Sequence, residues 1–191
     1  MSDSTTDPDV EAMQRVGSGD GLARREMVER WCPRVASYLT RNLGNESDAL
    51  DLTQETFVGV YRARLKYQPK SKFSTWLFGI ATNQARQRLR WRRRHPEVAF
   101  ELEHESVQEQ NPLIVASGDP GKDALQAERA AAVRDAIMDL PDDLREAVVL
   151  FEYEDLSHAE IAAIARCSGK AVETRLYRAR KLLKSSLTRF M

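Results

Sequence analysis

Apolar side chains recur at three- and four-residue steps along most of this chain, and this spacing constrains the fold more than any other feature of the sequence. In the first third the series runs through Leu22, Val28, Trp31, Val35 and Leu39. Such a series forms one stripe of an amphipathic helix. We find no convincing alternation of apolar and polar residues of the kind that a half-buried strand would show. The pattern therefore predicts an all-α fold.

The helical spacing is interrupted once over a long stretch, and this interruption predicts the domain organisation. Residues 96–122 contain prolines, glycines and several glutamates and have little periodicity, which is typical of a flexible acidic linker. We therefore expect two small helical domains, residues 10–95 and 123–191, after a flexible N-terminus of residues 1–9. Within the first domain, Ser47 is expected to precede the second helix, and a third helix is expected from near Ser74 to Arg94.

The second domain carries the pattern of a helix-turn-helix. Ser157 and Glu160 have the spacing of a capping box, in which each side chain accepts a backbone N–H of the other residue. Residues 166–169 interrupt this short helix, and a longer amphipathic helix follows from about Lys170. An ordinary helical hairpin with a solvated cationic face is the alternative interpretation.

Charge is strongly segregated, although 29 basic and 29 acidic residues give no net charge. Residues 61–95 contain eleven Lys or Arg and no Asp or Glu, and residues 166–191 have a balance of +7. Residues 96–140 and 141–165 have balances of −7 and −6. Two concentrated positive segments predict two contacts with nucleic acid. We also hypothesise that the acidic segments shield the basic helices in the free protein.

The third helix of the first domain has the residue types of a nucleic-acid surface. Its polar positions are Asn83, Arg86, Gln87 and Arg90, which can contact base edges and phosphates. Aromatic residues such as Phe73 and Trp76 lie just upstream and could stack on the bases of a single strand. For Trp76, packing in the core is an equal alternative.

The second helix of that domain has an acidic and polar face instead. Because acidic groups repel DNA, this face is expected to contact a protein, with a plain solvated face as the alternative. The candidate residues are Asp48, Asp51, Gln54, Glu55, Phe57 and Tyr61.

Several classes of function are disfavoured. The acidic, polar N-terminus is not a signal or transit peptide, and the apolar stretch 73–85 is too short to cross a membrane. Cys32 and Cys167 lie far apart, and the histidines are scattered without metal-ligand spacing. No glycine-rich phosphate loop is present. We therefore expect no catalytic residues, no metal, no cofactor and a cytoplasmic location.

Five segments of the chain resemble the extracytoplasmic-function (ECF) group of bacterial sigma factors in the sigma-70 family. They occur in the expected order and cover both predicted domains. They are DALDLTQETFVGVYR at 48–62, FSTWLFGIATN at 73–83, LPDDLREAVVL at 140–150, LSHAEIA at 156–162 and VETRLYRAR at 172–180.

The resemblance implies an alternative sigma factor, a non-enzymatic subunit that binds core RNA polymerase and opens promoter DNA. It implies that the acidic face of the second helix docks on the polymerase, through the six residues named above. It implies minus-ten recognition by Phe73, Trp76, Asn83, Arg86, Gln87 and Arg90. It implies minus-thirty-five recognition by Ser168, Lys170, Glu173, Thr174, Arg175 and Arg178. A separate anti-sigma factor, membrane-bound in some cases, is the expected regulator, with no membrane insertion of this chain itself.

Two other functions remain open at this point. A stand-alone transcriptional regulator would explain the helix-turn-helix, but it would not explain an acidic helix beside an acid-free basic segment. An enzyme is the weakest candidate because the chain lacks a recognisable set of catalytic or ligand residues.

Overall fold

The computed structural model describes residues 7–96 and 120–188, with side chains in the second range from residue 126 onward. The first range contains helices α1 (Pro8–Gly17), α2 (Gly21–Leu43), α3 (Glu46–Ala63) and α4 (Phe73–Arg94). The second contains α5 (Pro120–Met138), α6 (Asp142–Glu152), α7 (His158–Ala165) and α8 (Gly169–Leu187). The expected all-α fold is confirmed. Most of the expected linker, residues 97–119, lies outside the described residues.

Helices α1, α2 and α3 of the first half begin at side chains that accept backbone N–H groups. Asp20 accepts from the amides of Leu22 and Ala23 at 2.9 and 3.1 Å and so starts α2. Asn45, and not the expected Ser47, caps α3 by accepting from the Asp48 amide at 2.9 Å. The preceding Gly44 has a φ of +68°, which ends α2 in a left-handed turn that glycine adopts without strain.

A cluster of aromatic rings connects α2 to α4 in the first half. Trp31 packs edge-to-face against Phe73 and Phe78, with ring centroids 5.7 and 6.2 Å apart. Tyr38 also packs on Phe78, and its hydroxyl lies 2.6 Å from the hydroxyl of Thr82. Because Tyr38 is fully buried, desolvation raises the pKa of its phenol. This cluster fixes the N-terminal half of α4.

The second half ends in the expected helix-turn-helix of α7 and α8. The capping box of Ser157 and Glu160 is confirmed, with both reciprocal hydrogen bonds present. Arg166 ends α7 with a φ of +52°, and Ser168 then caps α8 by accepting from the Ala171 amide at 3.2 Å. The N-terminal end of α8 is thereby presented at the surface, beside α7.

The two halves pack together through one continuous apolar core, in which residues of α2 and α4 join residues of α5 to α8. Arg145 of α6 lies inside this junction. Its guanidinium donates to the carbonyls of Ile137, Met138 and Leu140 at the end of α5, and to the carbonyl of Asn42 in α2. Burial lowers the pKa of this guanidinium. One buried side chain thus satisfies the C-terminal ends of two helices from different halves.

Candidate functional surfaces

An exposed stripe along α3 combines acidic, polar and apolar side chains. Asp51, Gln54, Glu55 and Tyr61 are exposed, as the sequence pattern predicts for a protein-contacting face. Two apolar residues of the same stripe are also exposed, Leu50 by 52% and Val58 by 46%. A groove of about 510 Å³ runs beside the stripe and is lined by Asp51, Gln54, Glu55, Val58, Gly59, Arg62 and Gln84. Exposed apolar groups between acids are typical of a binding surface.

The other two residues assigned to that face lie elsewhere. Asp48 is buried and forms ion pairs with Arg88 and with Arg92, the latter at 2.6 Å, both in the C-terminal half of α4. Phe57 is half-buried against the core. Asp48 therefore holds α3 against α4, and sequence pattern alone could not separate it from the exposed Asp51.

The face of α4 that carries Asn83, Gln87 and Arg90 is exposed. These three residues follow one another at helical steps, so they form a single polar row. A groove of about 330 Å³ separates this row from α3 and is lined by Leu52, Glu55, Gln84, Gln87, Arg88, Arg90, Trp91 and Arg94. Glu55 and Gln84 also line the groove beside the α3 stripe, so the acidic and basic surfaces adjoin each other.

The aromatic residues assigned to DNA are placed differently from that row. Phe73 is fully buried among Trp31, Tyr67 and Trp76, and its ring is part of the core. Trp76 is half-buried, with its ring centroid 4.8 Å from that of Tyr67. The structure therefore gives Phe73 a packing role, whereas Trp76 keeps one side accessible.

Arg86 differs from the rest of the predicted minus-ten set because it forms an ion pair with an acidic residue of the other half. Its Nε and Nη2 donate to the two carboxylate oxygens of Glu146 at 2.8 and 2.7 Å. Burial raises the pKa of the Glu146 carboxyl, although the hydrogen bonds and charge of Arg86 oppose that shift.

The exposed face of α8 contains most of the residues predicted for minus-thirty-five recognition. Ser168, Lys170, Glu173, Thr174 and Arg178 are exposed, and Lys170 forms an ion pair with Glu173 at 3.6 Å. Arg175 is only partly accessible because it pairs with Asp143 of α6 at 3.3 Å.

Tyr177 was missed by the sequence analysis and is 71% exposed on α8. It lies three residues after Thr174 and directly before Arg178. Its register on α8 could have identified it, since a helical position three residues from an exposed one lies on the same face.

Glu160 joins the helix-turn-helix to the start of α4. Its carboxylate completes the capping box with Ser157, forms an ion pair with Lys72 at 3.2 Å and accepts from the Thr75 hydroxyl at 3.2 Å. Although burial alone would raise the pKa of Glu160, the hydrogen bonds from Ser157 and the contact with Lys72 lower it to about 2. The carboxylate therefore stays ionised at neutral pH.

Comparison with known proteins gives two family matches and several full-length relatives. Residues 27–95 match the family "Sigma-70 region 2" and residues 130–183 match "Sigma-70, region 4". The sigma-H factor of Pseudomonas aeruginosa is 32% identical over 184 residues, which cover 96% of this chain and 95% of that protein. The ECF sigma-E factor of Escherichia coli is 35% identical over 185 residues, with the same two coverages of 96% and 95%. The chain belongs to the ECF sigma factors.

Solved structures agree with this assignment at the level of the fold. CnrH, solved in complex with the cytosolic domain of CnrY, superposes on this sigma factor with a TM-score of 0.67 and 27% identity, covering 95% of this chain and 98% of CnrH. The sigma factor RpoE of Bartonella quintana, solved with the anti-sigma factor NepR, gives a TM-score of 0.66 at 23% identity over 86% of this chain and 96% of RpoE.

Over residues 7–96 and 120–188, none of the helices has both the length and the apolar character required to span a bilayer. The same part of the chain contains no grouping of His, Cys, Asp and Glu that could hold a metal ion.

Proposed function

We propose that this sigma factor directs RNA polymerase to promoters through three separate exposed faces. The α3 stripe docks on core polymerase, the polar row of α4 contacts the minus-ten element, and the exposed face of α8 contacts the minus-thirty-five element in the major groove. The observation that carries the proposal is the pair of adjoining grooves that share Glu55 and Gln84. Polymerase bound at α3 would border DNA held at α4, as opening of a promoter requires.

Binding to core polymerase tests the α3 face. Val58→Ser removes an exposed apolar side chain from the centre of the stripe, and we expect a loss of affinity for core polymerase of about tenfold. Glu29→Ala is the matched control, since Glu29 is exposed on α2 and forms its ion pair with Arg25 of the same helix. Equal affinities of the two variants in a competition assay against the unmodified chain would refute docking through this stripe.

Run-off transcription and promoter footprinting test the two DNA faces. Asn83→Ala and Gln87→Ala should lower permanganate reactivity of the opened promoter while leaving affinity for core polymerase unchanged. Arg178→Ala should weaken holoenzyme binding to the upstream promoter and lower the slope of log affinity against log salt by about one, as loss of one phosphate contact does. Wild-type opening and wild-type salt slope in these variants would contradict the assignments.

The proposal also includes a non-catalytic role, a cytoplasmic location and a separate anti-sigma regulator. CnrH has been solved with a second protein bound to it, and the fold of this sigma factor is similar over nearly the whole chain. Purification of the tagged chain from its own cells, followed by mass spectrometry, tests the two partner expectations. We expect one complex with core polymerase subunits and a second complex that contains the anti-sigma factor and no polymerase.

A further inference from the structure

Four ion pairs join the described parts of the two halves, and in all of them the basic partner belongs to the first half. The acidic partners lie between residues 142 and 160, in the segment whose balance is −6. The pairs are Arg86–Glu146 at 2.7 Å, Arg34–Glu154 at 3.1 Å, Lys72–Glu160 at 3.2 Å and Arg93–Asp142. The charge segregation of the sequence is thus neutralised across the junction of the halves.

Of these four pairs, Arg86–Glu146 is the most enclosed, and its arginine lies on α4, the helix proposed to contact DNA. Two parallel hydrogen bonds join the guanidinium to the carboxylate, and the Glu146 side chain is only 8% exposed against 27% for Arg86. This fork is the geometry with which arginine also binds a phosphate group. Glu146 occupies the Nε and Nη2 edge of the guanidinium and neutralises its charge, so this edge is not available to a phosphate of DNA while the pair is closed.

An apolar contact and a cation–π contact support the same arrangement. Met138 at the end of α5 lies against Gly44 at the end of α2. The guanidinium of Arg41 lies 4.2 Å from the centre of the Tyr153 ring, across the junction. The ion pairs therefore sit at the margin of a buried core, where a charge pair is less screened by salt than on an open surface.

We propose that Glu146 occupies the DNA-binding fork of Arg86 in the free sigma factor, as an internal substitute for a phosphate of the promoter strand. The chain then binds single-stranded DNA weakly until its two halves separate on core polymerase. This inference rests on the proposed minus-ten role of α4. It locates the shielding acids in α6, in α7 and in the turn between them, within one of the acidic segments for which the sequence predicts shielding.

The expected effect follows from the population of the open form, in which the two halves are separated; in the closed form they pack together and Glu146 pairs with Arg86. When DNA binds only the open form, the apparent affinity equals the intrinsic affinity multiplied by the open fraction. Glu146→Gln removes the carboxylate charge and leaves Arg86 facing a neutral amide. The closed form loses its charge-assisted pair, and the affinity for single-stranded DNA should rise about tenfold.

The experiment measures binding of the free, full-length chain to a fluorescein-labelled oligothymidylate of about 20 nucleotides by anisotropy. The oligothymidylate contains phosphates and bases but no promoter sequence, so it reports backbone contacts without sequence-specific recognition, and the matched variants isolate the contribution of Arg86. Glu152→Gln is the matched control, because Glu152 is on the same helix and pairs with Arg180 inside the second half. We expect tighter binding for Glu146→Gln and wild-type binding for Glu152→Gln.

A second pair of variants shows whether the gain depends on Arg86. Arg86→Ala alone and Arg86→Ala with Glu146→Gln should bind the oligothymidylate equally, since the second change then has no guanidinium to release. If the Glu146→Gln chain loses its helical circular dichroism, Asp142→Asn is the variant to measure instead. Asp142 is partly exposed and pairs with Arg93 across the junction, so its loss also favours separation of the halves and should raise the affinity for the oligothymidylate.

Unchanged affinity of a folded Glu146→Gln chain would overturn the inference, and so would an equal gain in the Glu152→Gln control. Run-off transcription with core polymerase judges the proposed function separately. Wild-type transcription without a gain in oligothymidylate binding would leave the sigma function intact and remove only the role of Glu146. Absence of transcription by the wild-type chain would refute the proposed function itself.

Discussion

Replacement of Arg145 by methionine should destabilise the whole described structure, because this one side chain supports two helix ends. In the wild type its guanidinium is 2.7 Å from the Asn42 carbonyl oxygen, and 2.5, 2.9 and 3.2 Å from those of Met138, Leu140 and Ile137. Methionine fills a similar volume but donates no hydrogen bond. The substitution therefore leaves buried carbonyl groups without a donor and creates little empty space.

The size of the effect can be worked out from those contacts. A hydrogen bond from a charged donor contributes about 1.5–3 kcal/mol, and four such bonds from one group are not additive. Removal of a buried, desolvated charge offsets part of the loss. We therefore expect the free energy of unfolding to fall by about 3 kcal/mol. Lysine at this position should recover roughly half of that loss, since its compact ammonium cannot reach both helix ends.

Urea unfolding followed by circular dichroism measures this change, with stability obtained by linear extrapolation. Arg134→Met is the control, since Arg134 is exposed on α5, and its effect should stay within about 0.5 kcal/mol. A loss in Arg145→Met no larger than in this control would refute the role of the guanidinium in holding the two helix ends.

Three further outcomes are expected. Asp48→Asn, which removes the buried partner of two arginines of α4, should cost about 2 kcal/mol in urea unfolding; a loss under about 0.5 kcal/mol would contradict that packing role. The pKa of Glu160 is lowered from 4.5 to about 2. The contacts of this carboxylate therefore add stability that is fully present above pH 4.5 and is lost as the pH falls from 4.5 to about 2. Since solvent partly screens the carboxylate, the free energy of unfolding of the wild type should fall by about 1 kcal/mol more than that of Glu160→Gln on acidification. Parallel pH profiles of stability for the two proteins would contradict this prediction. Gly44→Ala places a Cβ 2.5 Å from the Met138 methyl group at a residue with a left-handed φ, so it should lower the melting temperature. The decrease should be smaller when Met138 is also replaced by alanine. Equal decreases with and without Met138→Ala would exclude the clash.

The sequence predicts well those features that depend on neighbouring residues. The capping box of Ser157 and Glu160 involves positions three apart, so the local pattern suffices to place it. The α3 cap shows the limit of that approach. Asn45 and Ser47 are both good capping residues, and the choice between them depends on the left-handed turn at Gly44, which tertiary packing fixes.

Residues whose role depends on distant partners were not predicted. Arg145 and Glu146 look like solvent-facing positions of an amphipathic helix, yet both are buried. Their partners lie 103 and 60 residues away, on a surface that exists only when the two halves pack. Phe73 shows the same limit for aromatic residues, because a ring that stacks on DNA and a ring that fills a core have the same spacing in sequence.

Asp7 has a consequence for how the beginning of this chain can change. Its carboxylate accepts from the Asp9 amide at 3.0 Å to start α1 and also from the amide of Phe73, 66 residues later, at 3.2 Å. Lys72, at the cap position of α4, gives that helix no side-chain hydrogen bond of its own. A deletion or fusion joint that removes Asp7 would loosen the first turn of the helix proposed to meet the minus-ten DNA.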